Sequence, residues 1–130
     1  MARQRHKSGQ GKRRFVMLPH DLLYLHEYMN LSHKSKSLLV ELVMQYNGKN
    51  NGDLCITLSV MKKRGWSSND TIRKAMQELI EADLAILTRQ GGRNLCSLYG
   101  LTWQPIDECA NKLDIPTGAT PLKPLSKLLR

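Results

Sequence analysis

Residues 64–86 read "RGWSSNDTIRKAMQELIEADLAI", and their pattern sets the architecture of the chain. Gly65 suits the left-handed residue that ends one helix, and Ser67 starts the next. Asp70, three residues on, completes the Ser-x-x-Asp arrangement of a capping box. Ile72, Ala75, Met76, Leu79 and Ile80 recur at helical steps and define a buried stripe. Asp70, Arg73, Lys74, Gln77 and Glu81 fall largely on the opposite side. The pattern predicts a helix with an apolar back and a polar front, entered through a tight turn.

On the N-terminal side, "LCIT" is a short apolar candidate strand, and Thr57 can cap a short helix over about 58–64 that ends in Lys62, Lys63 and Arg64. Ser32 is an N-cap for a helix over about 33–46, with Leu38, Leu39, Leu42, Val43 and Tyr46 in one stripe. His33, Lys34 and Lys36 at its start oppose the helix dipole, so they belong to the surface or face a ligand. That helix stops at "NGKNNGD", dense in turn formers. Pro19 opens an earlier helix over residues 19–29, apolar on much of its circumference, which can serve partly as an interface. On the C-terminal side, "LAILTR" and "LCSLYGLTW" read as strands joined by "QGGRN", a flexible glycine-tipped hairpin with Arg89 and Arg93 on its flanks. Leu95, Tyr99, Leu101 and Trp103 share one face of the second strand by their even spacing. Cys55 and Cys96 fall in apolar runs and read as core. After Trp103 come four of the five prolines and an irregular tail, with a short helix around Asp107 to Leu113.

At 130 residues and 41% hydrophobic, the chain is one domain with tails: a basic arm at 1–14 that is disordered when free, a folded body at 15–103 and a proline-containing tail at 104–130. The class is mainly α with a small β-hairpin. No apolar run nears the roughly 20 residues that cross a bilayer, and the N-terminus lacks the apolar segment of a secretory signal. Three widely spaced cysteines do not form a disulfide framework. A cytoplasmic protein with no membrane association is the expectation.

The net charge of +9 is unevenly distributed. Residues 1–14 contain six basic residues and no acid, including Arg3, Arg5, Arg13 and Arg14, whereas residues 15–103 hold ten basic and eight acidic residues. Such an arm suits a polyanion; a solubilising terminus is the plainer account. The rest of the chain points away from chemistry. His6, His20, His26 and His33 lack partners at metal-ligand spacing. No phosphate-cradling Gly-rich loop with a Lys-Ser/Thr pair is present. Ser67 and Ser68 have no nearby base and read as caps. The expectation is a protein that is not an enzyme and that uses no metal or cofactor.

The order helix, helix, short strand, short helix, tight turn, long helix, hairpin resembles the winged helix-turn-helix domain. The resemblance is carried by "LCITLSVMKKRGWSSNDTIRKAMQELIEADLAILTRQGGRNLCSLYGLTW", residues 54–103. "FVMLPHDLL", "YNGKNNGDL" and "SLYGLTWQPID" look like the small winged-helix DNA-binding proteins of bacterial plasmids, phages and other mobile elements. "EADL" stands where the family commonly has E-x-G-L, so Asp83 must take the left-handed turn; Asp tolerates it moderately well. The resemblance implies transcriptional regulation, or maintenance or replication control of a mobile element.

Physical chemistry supports double-stranded DNA as the partner. A major groove about 12 Å wide admits one helix, read by residues in its first turns. Ser68, Asn69 and Thr71 can donate to phosphates or bases, Arg73 can fork onto guanine, and Gln77 can pair with adenine. Lys74 completes the surface. Lys62, Lys63 and Arg64 are placed as phosphate anchors, and Arg89 and Arg93 as backbone or minor-groove contacts. Trp66 either stacks on the nucleic acid or closes the turn between two helices. The competing reading is a protein-interaction module, or a homodimer, using residues 19–29 or the tail "PLKPLSKLLR". RNA binding through the arm is a third, weakened by the scarcity of aromatics.

Overall fold

Ser68 organises the helix that the sequence places at the centre. Its Oγ accepts from the Thr71 amide at 3.2 Å, and α5 runs from Asn69–Glu81. In this computed structural model, which describes residues 13–117, α5 buries Ile72, Ala75, Met76 and Leu79. Gly65, with φ +94°, and Asp83, with φ 62°, make the left-handed turns at either end, as their positions predict. The cap is Ser68 and not Ser67, so the third helical position is Thr71 and no capping box forms. Asp70 is thereby released from the capping role expected of it.

α5 lies against α3, residues His33–Gln45. Ser32 caps α3 by accepting from the Ser35 amide at 3.2 Å. Leu38, Leu39 and Leu42, all at 0% exposure, face α5 and the rest of the core. The segment expected as one helix at 19–29 is two single-turn helices, α1 at His20–Leu23 and α2 at His26–Met29. The chain is extended at Leu25, with ψ 139°, which breaks the helix. Pieces this short are not stable alone; burial of Leu22 and Leu25 fixes them. α4 is also short, Leu58–Lys62, and Thr57 precedes it without a side-chain capping bond.

β1, Ala85–Arg89, pairs antiparallel with β2, Leu98–Leu101, in a two-stranded sheet. "LCIT" is reduced to a single bridge, in which Leu54 and Tyr99 exchange backbone bonds of 3.1 and 3.0 Å. The next residue is held by a side chain instead: Gln45 donates to the Cys55 carbonyl at 2.7 Å and accepts from its amide at 2.8 Å. A bulge at Thr88 shifts the register between Leu87 and Arg89. The expected one-sided alternation fails in β2: Leu98 and Leu101 are both buried, while Leu95 is 49% exposed near the hairpin tip.

The turn itself is not glycine-tipped. Gly92 and Leu95 bond each other at 2.8 and 3.1 Å, leaving Arg93 and Asn94 as the tip, with Asn94 at φ 58°. Gly91 has another role. A Cβ there would sit 2.6 Å from the Ser97 amide nitrogen, so it permits close backbone approach rather than flexibility.

Beyond β2 the chain is irregular yet anchored. Ile106 is 1% exposed, the Asp107 carboxylate accepts from the Asn51 amide at 2.7 Å, and the Asp114 amide donates to the Thr88 carbonyl at 2.8 Å. No helix spans 107–113. Cys109–Asn111 form one tight turn whose three residues all have positive φ.

Asn51 joins these layers, though the sequence presents it as one turn former among several. It is fully buried. The two protons of its side-chain amide are shared among the carbonyls of Leu101, Gln104 and Pro105 at 3.0, 2.9 and 3.1 Å, and its Oδ1 accepts from the Leu101 amide at 2.7 Å. Gly100 fits beside it because a Cβ there would lie 3.2 Å from Asn51 Oδ1 and 2.8 Å from Ile106.

Among the described residues, no helix is long and apolar enough to cross a membrane. The described residues are mainly helical, with a small antiparallel hairpin beside α5, which equals α3 in length.

Candidate nucleic-acid interface

The candidate residues on α5 divide by role. Ser68 spends its acceptor on the cap, and Thr71 is half-buried. Asn69, Arg73, Lys74 and Gln77 are exposed on the face opposite the core. Arg73 and Lys74 are tied to Asp70, whose carboxylate accepts from the Arg73 guanidinium on one oxygen and from Lys74 Nζ at 3.2 Å on the other. Gln77 donates to Glu81 at 3.1 Å. The acid expected to be structural thus sits between two of the candidate readers and offsets their charge. At 55% side-chain exposure it adds little stability.

Asn69 and Arg73 border a cleft of about 210 Å³ whose opposite wall is Cys96, Ser97 and Tyr99. The hairpin therefore approaches the first turns of α5 and makes one surface with it. Arg93 is exposed at the hairpin tip. Arg89 is turned inward, donating to the Cys96 carbonyl at 2.7 Å, with its Nε buried and lacking a hydrogen-bond partner. It braces the hairpin rather than extending from it.

The basic run after α4 also divides. Lys62 and Lys63 are exposed, whereas Arg64 Nε donates to Glu41 Oε1 at 2.9 Å. Glu41 is nearly buried, so removing Arg64 strands a carboxylate on the inside as well as deleting a surface charge. The guanidinium is held charged by the hydrogen bond to that carboxylate and by its field. Trp66 is 9% exposed and bonds its amide to the Met61 carbonyl at 3.1 Å, which makes it the packed residue of the turn, not a stacking platform. Lys34, expected at the surface or facing a ligand, lies over the Trp66 ring at 5.7 Å and shares a hollow with Asp70, Thr71 and Lys74. It brings the start of α3 to the same face. Arg13 and Arg14 are exposed; Arg3 and Arg5 lie outside the described residues.

One acid positions this surface. Glu78 Oε1 accepts from the Ser32 amide at 2.9 Å and from its hydroxyl at 2.8 Å, pinning the start of α3 to α5. The Ser35 hydroxyl has one proton and two acceptors in reach, the Ala75 carbonyl at 3.2 Å and this carboxylate. The Ser35 hydroxyl first, then the Ser32 amide and hydroxyl, hold the Glu78 carboxyl below its ordinary range. A carboxyl depressed in the folded state stabilises the protein above its unfolded pKa, and that contribution is lost as pH falls through the folded value. Glu78→Gln should therefore destabilise by about 1–2 kcal/mol at pH 7. Its urea midpoint should begin to approach that of the unsubstituted protein as pH falls past the ordinary carboxyl range, and should meet it only below the depressed folded value. Equal loss at pH 7 and below that value would show that packing, not charge, is what Glu78 supplies.

Among the described residues, no group of three His, Cys, Asp or Glu is arranged to hold a metal ion. Comparison with protein-family models, with curated proteins and with solved structures finds no match to this chain.

Proposed function

We propose that this protein is a winged helix-turn-helix, sequence-specific binder of double-stranded DNA, acting in the cytoplasm without catalysis. The role would be transcriptional regulation, or maintenance or replication control of a mobile element. The observation that carries the reading is α5 itself. Its apolar side is buried while Asn69, Arg73, Lys74 and Gln77 are exposed along the other side, next to a hairpin with Arg93 at its tip. A groove-reading helix needs this division, and Lys62, Lys63 and Lys34 flank it as phosphate contacts. The basic arm at 1–14 adds charge that grips the backbone or an adjacent minor groove.

Asp70 makes the reading testable. On a duplex its carboxylate must yield Arg73 and Lys74 to the nucleic acid, and it repels any phosphate near it. Asp70→Asn should raise affinity for a random duplex and make log K fall more steeply with log salt, by about 0.9 for each additional phosphate neutralised. Titration of a labelled duplex at several salt concentrations measures both. Failure of the unsubstituted chain to bind any duplex at low salt would end the DNA-binding reading; an unchanged slope in Asp70→Asn would end only the part assigned to Asp70.

A second reading has its own observation. Phe15 and Met17 are 83% and 69% exposed, and with Val43, Tyr46, Leu101 and Trp103 they border a groove of about 460 Å³. An open groove of this kind, with Arg14, Asn47 and Gln104 beside its apolar residues, suits a protein partner or a second copy of the chain. It fits a protein-interaction module docking onto a larger replication or regulatory complex. In the segment at 19–29, Tyr24 and Met29 are likewise exposed, at 62% and 47%.

A further inference from the structure

Cys55 and Cys96 are 41 residues apart in the chain, yet their sulfurs lie 3.8 Å from each other. Both side chains are half-buried, and neither is in a disulfide. The two segments are held together by backbone, since Leu54, next to Cys55, and Tyr99, three residues after Cys96, exchange two hydrogen bonds. Gln45 fixes the Cys55 peptide from the other side. A disulfide requires the sulfurs to close from 3.8 Å to about 2.05 Å, a movement of roughly 1.8 Å. Cys96 also lines the cleft beside Asn69 and Arg73, which gives a small oxidant a route to the pair. An Arg89 N–H sits 3.7 Å from Cys96 Sγ and favours negative charge on that sulfur.

We propose that Cys55 and Cys96 are a modification site, a thiol pair that a hydroperoxide converts to an intramolecular disulfide clipping the hairpin to the segment before α4. The reaction balances in two steps. One thiolate attacks the peroxide O–O bond, forming a sulfenic acid and releasing hydroxide. The second thiol then attacks the sulfenic sulfur, forming the S–S bond and releasing water. Two electrons leave the pair of sulfurs and reduce the peroxide. Burial raises the Cys96 thiol above its ordinary value, and Cys55 adds to this while Arg89 opposes it. Attack by Cys96 is therefore favoured by rising pH.

The test uses the full reduced chain and hydrogen peroxide, read by intact mass, peptide mapping and thermal melting. The expected product has lost two hydrogens, maps to the peptides of Cys55 and Cys96, and reverts with a thiol reductant. It should melt at least about 5 °C higher, because a closed loop of this length restricts the unfolded chain. Cys55→Ala and Cys96→Ala should each abolish the product, and Cys109→Ser should keep it. Addition of oxygen without a crosslink would overturn the proposal. So would a crosslink that persists in Cys55→Ala, or one that joins two chains. None of these outcomes depends on whether the protein binds DNA.

Discussion

Arg73→Ala should weaken binding to the preferred duplex by about 5- to 150-fold, equivalent to about 1–3 kcal/mol, and relax selection at one base pair. Arg73 is the candidate best placed for such an effect. It stands one turn into α5, its side chain is 70% exposed, and it borders the cleft shared with the hairpin. Its guanidinium is already presented to an oxygen acceptor on Asp70. Exchanging that single carboxylate oxygen for the two acceptors of guanine would let the guanidinium bind in a fork. Competition binding against single-base variants of the selected site measures the effect. Uniform weakening across all variants would reassign Arg73 to the phosphate backbone. No change would remove it from the interface.

Asn51→Ala should cost about 3 kcal/mol or more, a larger loss of stability than any exposed polar side chain should cause. The substitution leaves the Leu101 amide and the carbonyls of Leu101, Gln104 and Pro105 without their partner in a buried site. Gly100, Gly52 and Ile106 pack close around the site. The end of β2 and the segment leading to Asp107 should loosen together. Urea unfolding gives the free energy, and amide exchange at Leu101 and Asp107 locates the loosening. A loss under about 1 kcal/mol would mean that the carbonyls find other donors and that Asn51 is no hub.

These two residues mark what the sequence could and could not announce. α5 is legible because its apolar residues recur at helical spacing and a serine pair precedes it, though the cap is Ser68 and not Ser67. Gly65 is legible because it answers a local demand for positive φ, whereas the left-handed turn at Asp83 is expected from the resemblance to the E-x-G-L pattern. Asn51 is silent: its acceptors lie about fifty residues away, and an asparagine inside "NGKNNGD" looks like any turn residue. The basic residues are ambiguous in the same manner. Arg64 and Lys63 are neighbours of like charge, yet Arg64 is committed to Glu41 in α3. Arg89 and Arg93 flank one turn, yet Arg89 folds back on the Cys96 carbonyl while Arg93 stands at the tip. Only a tertiary partner separates a reader from a brace.

Asp70 illustrates a finer limit. With two serines in succession, moving the cap from Ser67 to Ser68 displaces Asp70 from the capping-box position. The acid then turns from a local stabiliser into a neighbour of Arg73 and Lys74. The break at Leu25 is similar, because apolar residues continue through 22–29 and only the backbone geometry divides them.

Selection of bound duplexes from a random-sequence pool by the full chain decides the matter, run at about 0.15 M salt, where non-specific phosphate attraction is screened. DNA binding through α5 predicts a recurrent sequence motif whose information falls at one position in Arg73→Ala. Recovery of duplexes with no common sequence, by a chain that is folded and active in partner capture through the Phe15–Met17 groove, would contradict it.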